Sequence, residues 1–158
     1  MVLLSVPADP TISLSLQFAV GSQNDPPGKE GLAFLTGEML SDAATEARSL
    51  DEILAALYPL AASYGMRVDI ERSTLTGRVH RDNLAAYLEL FTDAFVKPAF
   101  DANDFERVRN DTVNAIENAL RYSSDEELGK AALHDFVFRD TPYAHLSEGT
   151  VAGLKSIT

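Results

Sequence analysis

Residues 11–20 read TISLSLQFAV, and residues 21–28 continue as GSQNDPPG. In the first stretch Ile12, Leu14, Leu16, Phe18 and Val20 alternate with Ser13, Ser15 and Gln17. A period of two puts the apolar side chains on one face, so the segment predicts a strand half-buried against a core. The second stretch is crowded with residues that break regular structure and predicts a loop. From Lys29 to about Ala44 the period lengthens, with Leu32, Leu35, Met39 and Leu40 along one helical stripe. Strand, breaker-rich loop and amphipathic helix in direct succession point to mixed α and β architecture rather than a bundle.

The rest of the chain continues that alternation. Ser49-Leu50-Asp51-Glu52 is a capping-box pattern, opening a helix that carries Ile53, Leu54, Leu57, Leu60 and Ala61. Gly65 is placed as the stop of that helix. Residues 66–71 and 74–80 predict two short strands pairing antiparallel. Asp82 is placed as the cap of a third helix, with Leu84, Tyr87, Leu88, Phe91 and Phe95 inward and Pro98 ending it. Residues 103–121 predict a longer helix buried through Phe105, Val108, Thr112, Ile116 and Leu120. Ser124-Asp125-Glu126-Glu127 is a second capping box, before a helix with Leu128, Ala131, Ala132 and Phe136. A turn at Thr141-Pro142-Tyr143 and a last helical stretch from Thr150 close the chain. The expected fold is α+β, an antiparallel sheet with helices on one face, forming a single domain over residues 1–158. Three strands make a small sheet, which predicts further strands downstream, a chain that is part of a longer protein, and self-association through an exposed edge.

Composition narrows the function classes. The chain has 158 residues, of which 46% are apolar and 23% charged, an ordinary globular balance. Lys and Arg number 13 against 24 Asp and Glu, a formal net charge of −11. An acidic surface repels phosphate backbones and anionic lipid, which argues against nucleic-acid and membrane partners. Cysteine is absent, so there is no disulfide, no thiolate metal site and no cysteine nucleophile. No apolar run approaches the about 20 residues of a membrane span. The opening MVLLSVP is too short for a signal peptide and lacks a basic start. A soluble protein is expected, with the cytoplasm favoured over the periplasm.

Three groups of residues carry a resemblance. The run Asp25-Pro26-Pro27-Gly28-Lys29-Glu30-Gly31-Leu32-Ala33 looks like the lead-in to the metal helix of the insulinase, pitrilysin and mitochondrial-processing-peptidase family. Tyr64-Gly65 with the following strands, and then Gly77-Arg78-Val79-His80-Arg81-Asp82-Asn83, resemble the family's central antiparallel pair and next helix. Thr141-Pro142-Tyr143-Ala144-His145, Glu148-Gly149-Thr150 and Leu154-Lys155-Ser156-Ile157-Thr158 resemble its later HPYG…GT…L..IT segment. The resemblance covers nearly the whole chain in order.

Active members of that family carry an inverted His-x-x-Glu-His motif directly after the Gly-Leu-Ala step. Two imidazoles four residues apart hold zinc from one helix face, the Glu between them activates the bound water, and a distant Glu completes the ligand set. The corresponding window here is Phe34-Leu35-Thr36-Gly37-Glu38. Phe34 and Glu38 stand at the histidine positions and Gly37 at the base position, while the distant ligand position falls at Asn114 or Ala115. A lone Glu38 cannot hold zinc, so no catalytic residue, metal ligand or cofactor is assigned to this segment, and it is expected to be inactive by itself. His80, His134 and His145 are never three or four residues apart and are read as structural. Glu126, Glu127, Asp101, Asp104 and Glu106 cluster at helix starts, where the helix dipole explains them without a cation. Phe91, Phe95, Phe100 and Phe105 are read as core.

The resemblance implies paired halves that close over a peptide, one bearing zinc and the other enclosing and positioning substrate. This chain resembles the half without the motif. Its expected partners are a second insulinase-like half, in the same chain or another subunit, and a peptide substrate; zinc is expected only in the active half. One alternative is a part of an active zinc peptidase whose motif lies elsewhere in the full chain. Another is a scaffold or peptide-binding module with no peptidase partner.

Overall fold

The computed structural model describes residues 9–120, 122 and 125–158. Strand β1 (Thr11–Phe18) forms one edge of a three-stranded antiparallel sheet in the order β1-β3-β2. Strands β2 (Ser63–Val68) and β3 (Ser73–His80) form a hairpin, and β3 lies in the centre. The register aligns Leu16 with Leu75 and Leu75 with Met66, so the apolar residues of all three strands share one face. The period-two reading of β1 holds up to Phe18, whereas Val20 lies beyond the strand and is 51% exposed.

Helix α1 (Leu32–Ser41) packs against β2, and α2 (Leu50–Leu57) with α3 (Leu84–Val96) covers the apolar sheet face. The core under α2 and α3 is built from Ile53, Leu57, Leu75, Val79, Tyr87, Leu90 and Phe91. Tyr87 is fully buried and its hydroxyl donates to the Ser63 carbonyl at 2.8 Å, which removes an orphan polar group. Gly77 makes this possible: a Cβ there would stand 1.8 Å from that hydroxyl oxygen. Burial, with Tyr64 nearby, pushes the Tyr87 hydroxyl up to about 12.

A second core joins α1 to α4 (Ala102–Asn114) and α6 (Val151–Ser156) through Leu35, Met39, Ala43, Val108, Val113, Leu154 and Ile157. Beyond α4 the helix widens into a π-helical stretch, Ala115–Leu120, and α5 (Asp125–Phe138) follows. The Ser49 capping box is made, with Glu52 accepting from the Ser49 N–H at 2.8 Å. Ser124, the cap expected for α5, lies outside the described residues.

Further expectations need correction, among them Leu88 of α3, which is 39% exposed rather than inward. Gly65 does not stop a helix: α2 runs into a 3-10 turn whose left-handed residue is Ala61 (φ 49), and Gly65 sits inside β2. Strand β2 therefore starts and ends three residues earlier than the apolar pattern suggested. Its expected end is claimed by a turn in which the Asp69 N–H donates to the Arg72 carbonyl. The Asp69 and Ile70 carbonyls then accept from Ser22 and Gln23 of the loop after β1 at 3.1 and 3.0 Å. Asp82 does not cap α3, because it lies in a 3-10 turn where its own N–H donates to His80 Nδ1 at 3.3 Å. Phe100 is not core: it holds a left-handed conformation (φ 47) before α4 and is 54% exposed.

Candidate functional site

The lead-in to α1 is a backbone knot. Asp25 turns its carboxylate onto the helix start and accepts from the Gly31 and Ala33 N–H groups at 2.7 and 2.8 Å. Helix starts leave such donors unpaired, and a carboxylate also suits the positive end of the dipole. Gly31 itself is left-handed (φ 110). The segment at 148–153 closes on it: Thr150 N–H donates to the Glu30 carbonyl at 3.2 Å, and Thr150 Oγ1 caps α6 by accepting from Gly153 N–H at 2.9 Å. A Cβ on Gly149 or Gly153 would lie 2.2 or 2.5 Å from the Glu30 carbonyl oxygen. The two glycine-bearing stretches, far apart in sequence, are the two halves of one contact. Desolvation raises the Glu30 carboxyl, but hydrogen bonds from the Gly28 and Glu30 N–H groups, with His145 and Thr150 nearby, hold it below the usual range.

Beyond this knot α1 presents the motif positions. Phe34 is half-buried. Gly37 is buried against β2, and a Cβ there would stand 2.6 Å from Val68 Cγ2 and 3.0 Å from Met66 Cγ. Glu38 is half-buried one position on. Burial and then the neighbouring Asp42 push its carboxyl up, and Arg107 opposes them. Ala115 is exposed and lines a hollow of about 380 Å³ with Ile116, Lys130, His134 and Glu148. A zinc site needs about three protein donors converging on one ion. These four positions supply a single carboxylate, and the base position has β2 side chains against it, so the set does not fit zinc. Among the described residues no group of three or more His, Asp and Glu could hold a metal ion.

An arginine bridges the two helices nearby. Arg107 on α4 donates to Asp42 Oδ2 at 2.9 Å and also to the Asp42 carbonyl, and it lies 3.5 Å from Asp104. Asp104 in turn accepts from the Ala44 N–H at 2.8 Å. Arg107 was not singled out from the sequence. The available signal was its spacing, three residues after Asp104 and four before Asp111, beside a helix ending in Glu38 and Asp42.

Two surfaces flank this region. A mostly apolar pocket of about 370 Å³ lies between α1 and the sheet, lined by Phe18, Leu32, Gly37, Leu40 and Met66, with Asp25 at its rim. The other sheet face is open and polar: Ser13, Ser15, Ser63, Thr76 and Arg78 surround a shallow groove of about 510 Å³. Arg78 pairs there with Asp9 at 3.1 Å. The histidines are held apart: His80 by the turn before α3, His134 against the Tyr143 carbonyl at 2.6 Å, and His145 against the Leu146 carbonyl at 2.8 Å.

Sequence and structure comparisons agree with this architecture. The family profile of insulinase, peptidase family M16, matches residues 1–150. The chain belongs to the insulinase family. Among solved structures it is similar to a peptidase M16 inactive domain from Pseudomonas fluorescens, at 27% identity and a TM-score of 0.78 over 93% of this chain and 37% of that one. A protease from Helicobacter pylori superposes with a TM-score of 0.82 at 17% identity, covering 95% of this chain and 36% of that one. Pitrilysin gives 0.77 at 23% identity, covering 95% and 16%. At those two identities the likeness concerns the fold. The chain thus spans well under half the length of each of these structures. No curated protein sequence matches it. Among the described residues no helix is long and apolar enough to cross a membrane.

Proposed function

We propose that this chain is a non-catalytic insulinase-type domain that encloses and positions a peptide and assembles with a zinc-bearing half. The observation that carries the reading is the state of the motif helix: Phe34, Gly37, Glu38 and Ala115 replace the donors, and Gly37 packs directly on Val68. The Pseudomonas fluorescens relative described as an inactive domain supports the same reading. Positioning alone contributes to catalysis, because holding a substrate in a reactive geometry removes entropy from the barrier without supplying a reacting group. The open polar sheet face and the apolar pocket beside α1 offer surfaces for an extended peptide.

The test has two parts. The isolated chain is assayed for zinc by elemental analysis and for cleavage of unstructured peptides, with neither expected. It is then mixed with an insulinase-family half carrying His-x-x-Glu-His, and cleavage by that half is expected to rise. Stoichiometric zinc with cleavage by the isolated chain overturns the reading, and so does a zinc-bearing half indifferent to its presence.

A further inference from the structure

The arginines of the helical layer are engaged: Arg48 donates to Glu89, Arg107 to Asp42 and Arg109 to Glu106. Those of the open sheet face keep donors to spare. Arg67 is 83% exposed along its side chain, and the carboxylate beside it, Asp69, is 3.9 Å away, beyond hydrogen-bond distance. Arg72 follows in the hairpin turn. It is exposed, and among the described residues its side chain makes no hydrogen bond or ion pair. The Asp69 N–H donates to the Arg72 carbonyl one step beyond the Val68–Ser73 pair, so the strand alternation places Arg72 on the same face as Arg67. At the far end of that face Arg78 donates through Nε to Thr11 Oγ1 and through Nη2 to Asp9 Oδ2, at 2.9 and 3.1 Å. Its Nη1 group is left with two further N–H donors.

The sheet sets this charge against the rest of the molecule. Strands β1, β2 and β3 contain no Asp or Glu, in a chain whose net charge is −11. The acids that reach the face, Asp9 and Asp69, stand at its two ends, in exposed pairs of the kind that contribute little and exchange readily for another carboxylate. At physiological salt the screening length is about 8 Å, so acids of the helical layer behind the sheet act weakly on this face. Between its cationic ends lie hydroxyls, with Ser13, Ser15 and Thr76 lining the groove beside Arg78. The rise of a strand separates Arg72 from Arg78 by about 20 Å, the reach of an equally extended peptide segment. A polyanion as dense as nucleic acid is opposed by the net charge, whereas a peptide with a few carboxylates meets only the local face. We propose, resting on the reading of this chain as a peptide-positioning domain, that the outer sheet face selects acidic peptide segments, with one carboxylate at Arg67 and Arg72 and another at Arg78.

Fluorescence anisotropy with the 158-residue chain tests this, using short labelled peptides of alternating Glu and Ser or of alternating Lys and Ser. The Glu peptide is expected to bind, less tightly as salt rises, and the Lys peptide is not. Arg72→Glu should weaken Glu-peptide binding about tenfold, the scale of reversing one charge in a complementary contact. Circular dichroism and the melting temperature should not change, because that side chain holds no polar partner among the described residues. Asp9→Asn, which releases Arg78, should tighten binding. Absence of Glu-peptide binding overturns the proposal, as do equal binding of the two peptides and indifference to Arg72→Glu. An oligothymidylate bound as tightly as the Glu peptide overturns the peptide as occupant. The same peptides are then given to a zinc-bearing half mixed with this chain. Cleavage raised equally for both overturns the charge selection and leaves the positioning role standing. Selective Glu-peptide binding with no gain in cleavage overturns the positioning role and supports the selection.

Discussion

The knot around Glu30 and the helix α5 are opposite ways of attaching a segment to a fold. At the knot, backbone meets backbone. Gly31, Gly149 and Gly153 each approach a neighbouring main chain closer than a Cβ permits, and two of them hold positive φ. Helix α5 buries none of its described residues, and a Cβ on Gly129 would meet no atom within 4 Å. The difference shows why residue identity is so unequally constrained along one chain. Where main chains touch, only one residue type fits, and the sequence there is a strict motif. Where a helix rests on a few side chains, many sequences serve, and identity is set by whatever else binds.

Substitutions that add a single methyl group can break this contrast. Gly149→Ala carries the largest expected effect, because it needs a left-handed alanine and a Cβ 2.2 Å from the Glu30 oxygen. A loss of about 3 kcal/mol in urea unfolding is expected, at the top of the usual single-substitution range. Gly37→Ala should follow with about 2 kcal/mol, the scale of overpacking a filled site. Its clash is with a Val68 methyl rather than a backbone atom, so Val68→Ala should relieve part of it in a double-mutant cycle. Simple additivity of the two would mean that the motif helix is not seated on β2 as described.

Two further glycines should behave in the opposite sense. Gly129→Ala, on the open side of α5, should stabilise the chain by up to about 1 kcal/mol through helix propensity. Gly65→Ala should be neutral or slightly favourable, since Gly65 lies in a strand with no atom near its Cβ position. A loss of about 1 kcal/mol at Gly65 would instead restore the helix-stop assignment that the strand replaces.

The sequence was legible where chemistry is local. The alternation of residues 11–18, the Ser49 capping box and the helical stretch from Thr150 are each decided by neighbours in the chain, and each appears in the structure. The residue types of the window Phe34-Leu35-Thr36-Gly37-Glu38 are legible too, because reading a side chain's functional group needs no geometry. What was not legible depends on distant partners. The boundary of β2 is set by the loop at 21–23 claiming the Asp69 and Ile70 carbonyls. Phe100 reads as core by residue type, yet the bend into α4 turns it outward. The Arg107 bridge joins residues whose proximity only the packing of α1 on α4 creates.

The smallest effect concerns Glu38, and it asks which force governs its half-buried carboxylate. Burial and Asp42 raise its carboxyl above the unfolded value, so near that value the native state binds more protons than the unfolded one. Stability from this group is therefore fully present at acid pH below the unfolded pKa and is lost as pH rises through the folded pKa. Glu38→Gln should match the native protein in acid and melt slightly higher at neutral pH, where the carboxylate is charged and partly desolvated. Arg107 acts against this, so removing it with Arg107→Gln should widen the difference between glutamate and glutamine at position 38. Melting curves of the four variants at acid and neutral pH decide the matter. If Glu38→Gln melts lower at neutral pH, attraction to Arg107 outweighs desolvation, and the carboxylate belongs to the arginine bridge rather than merely surviving beside it.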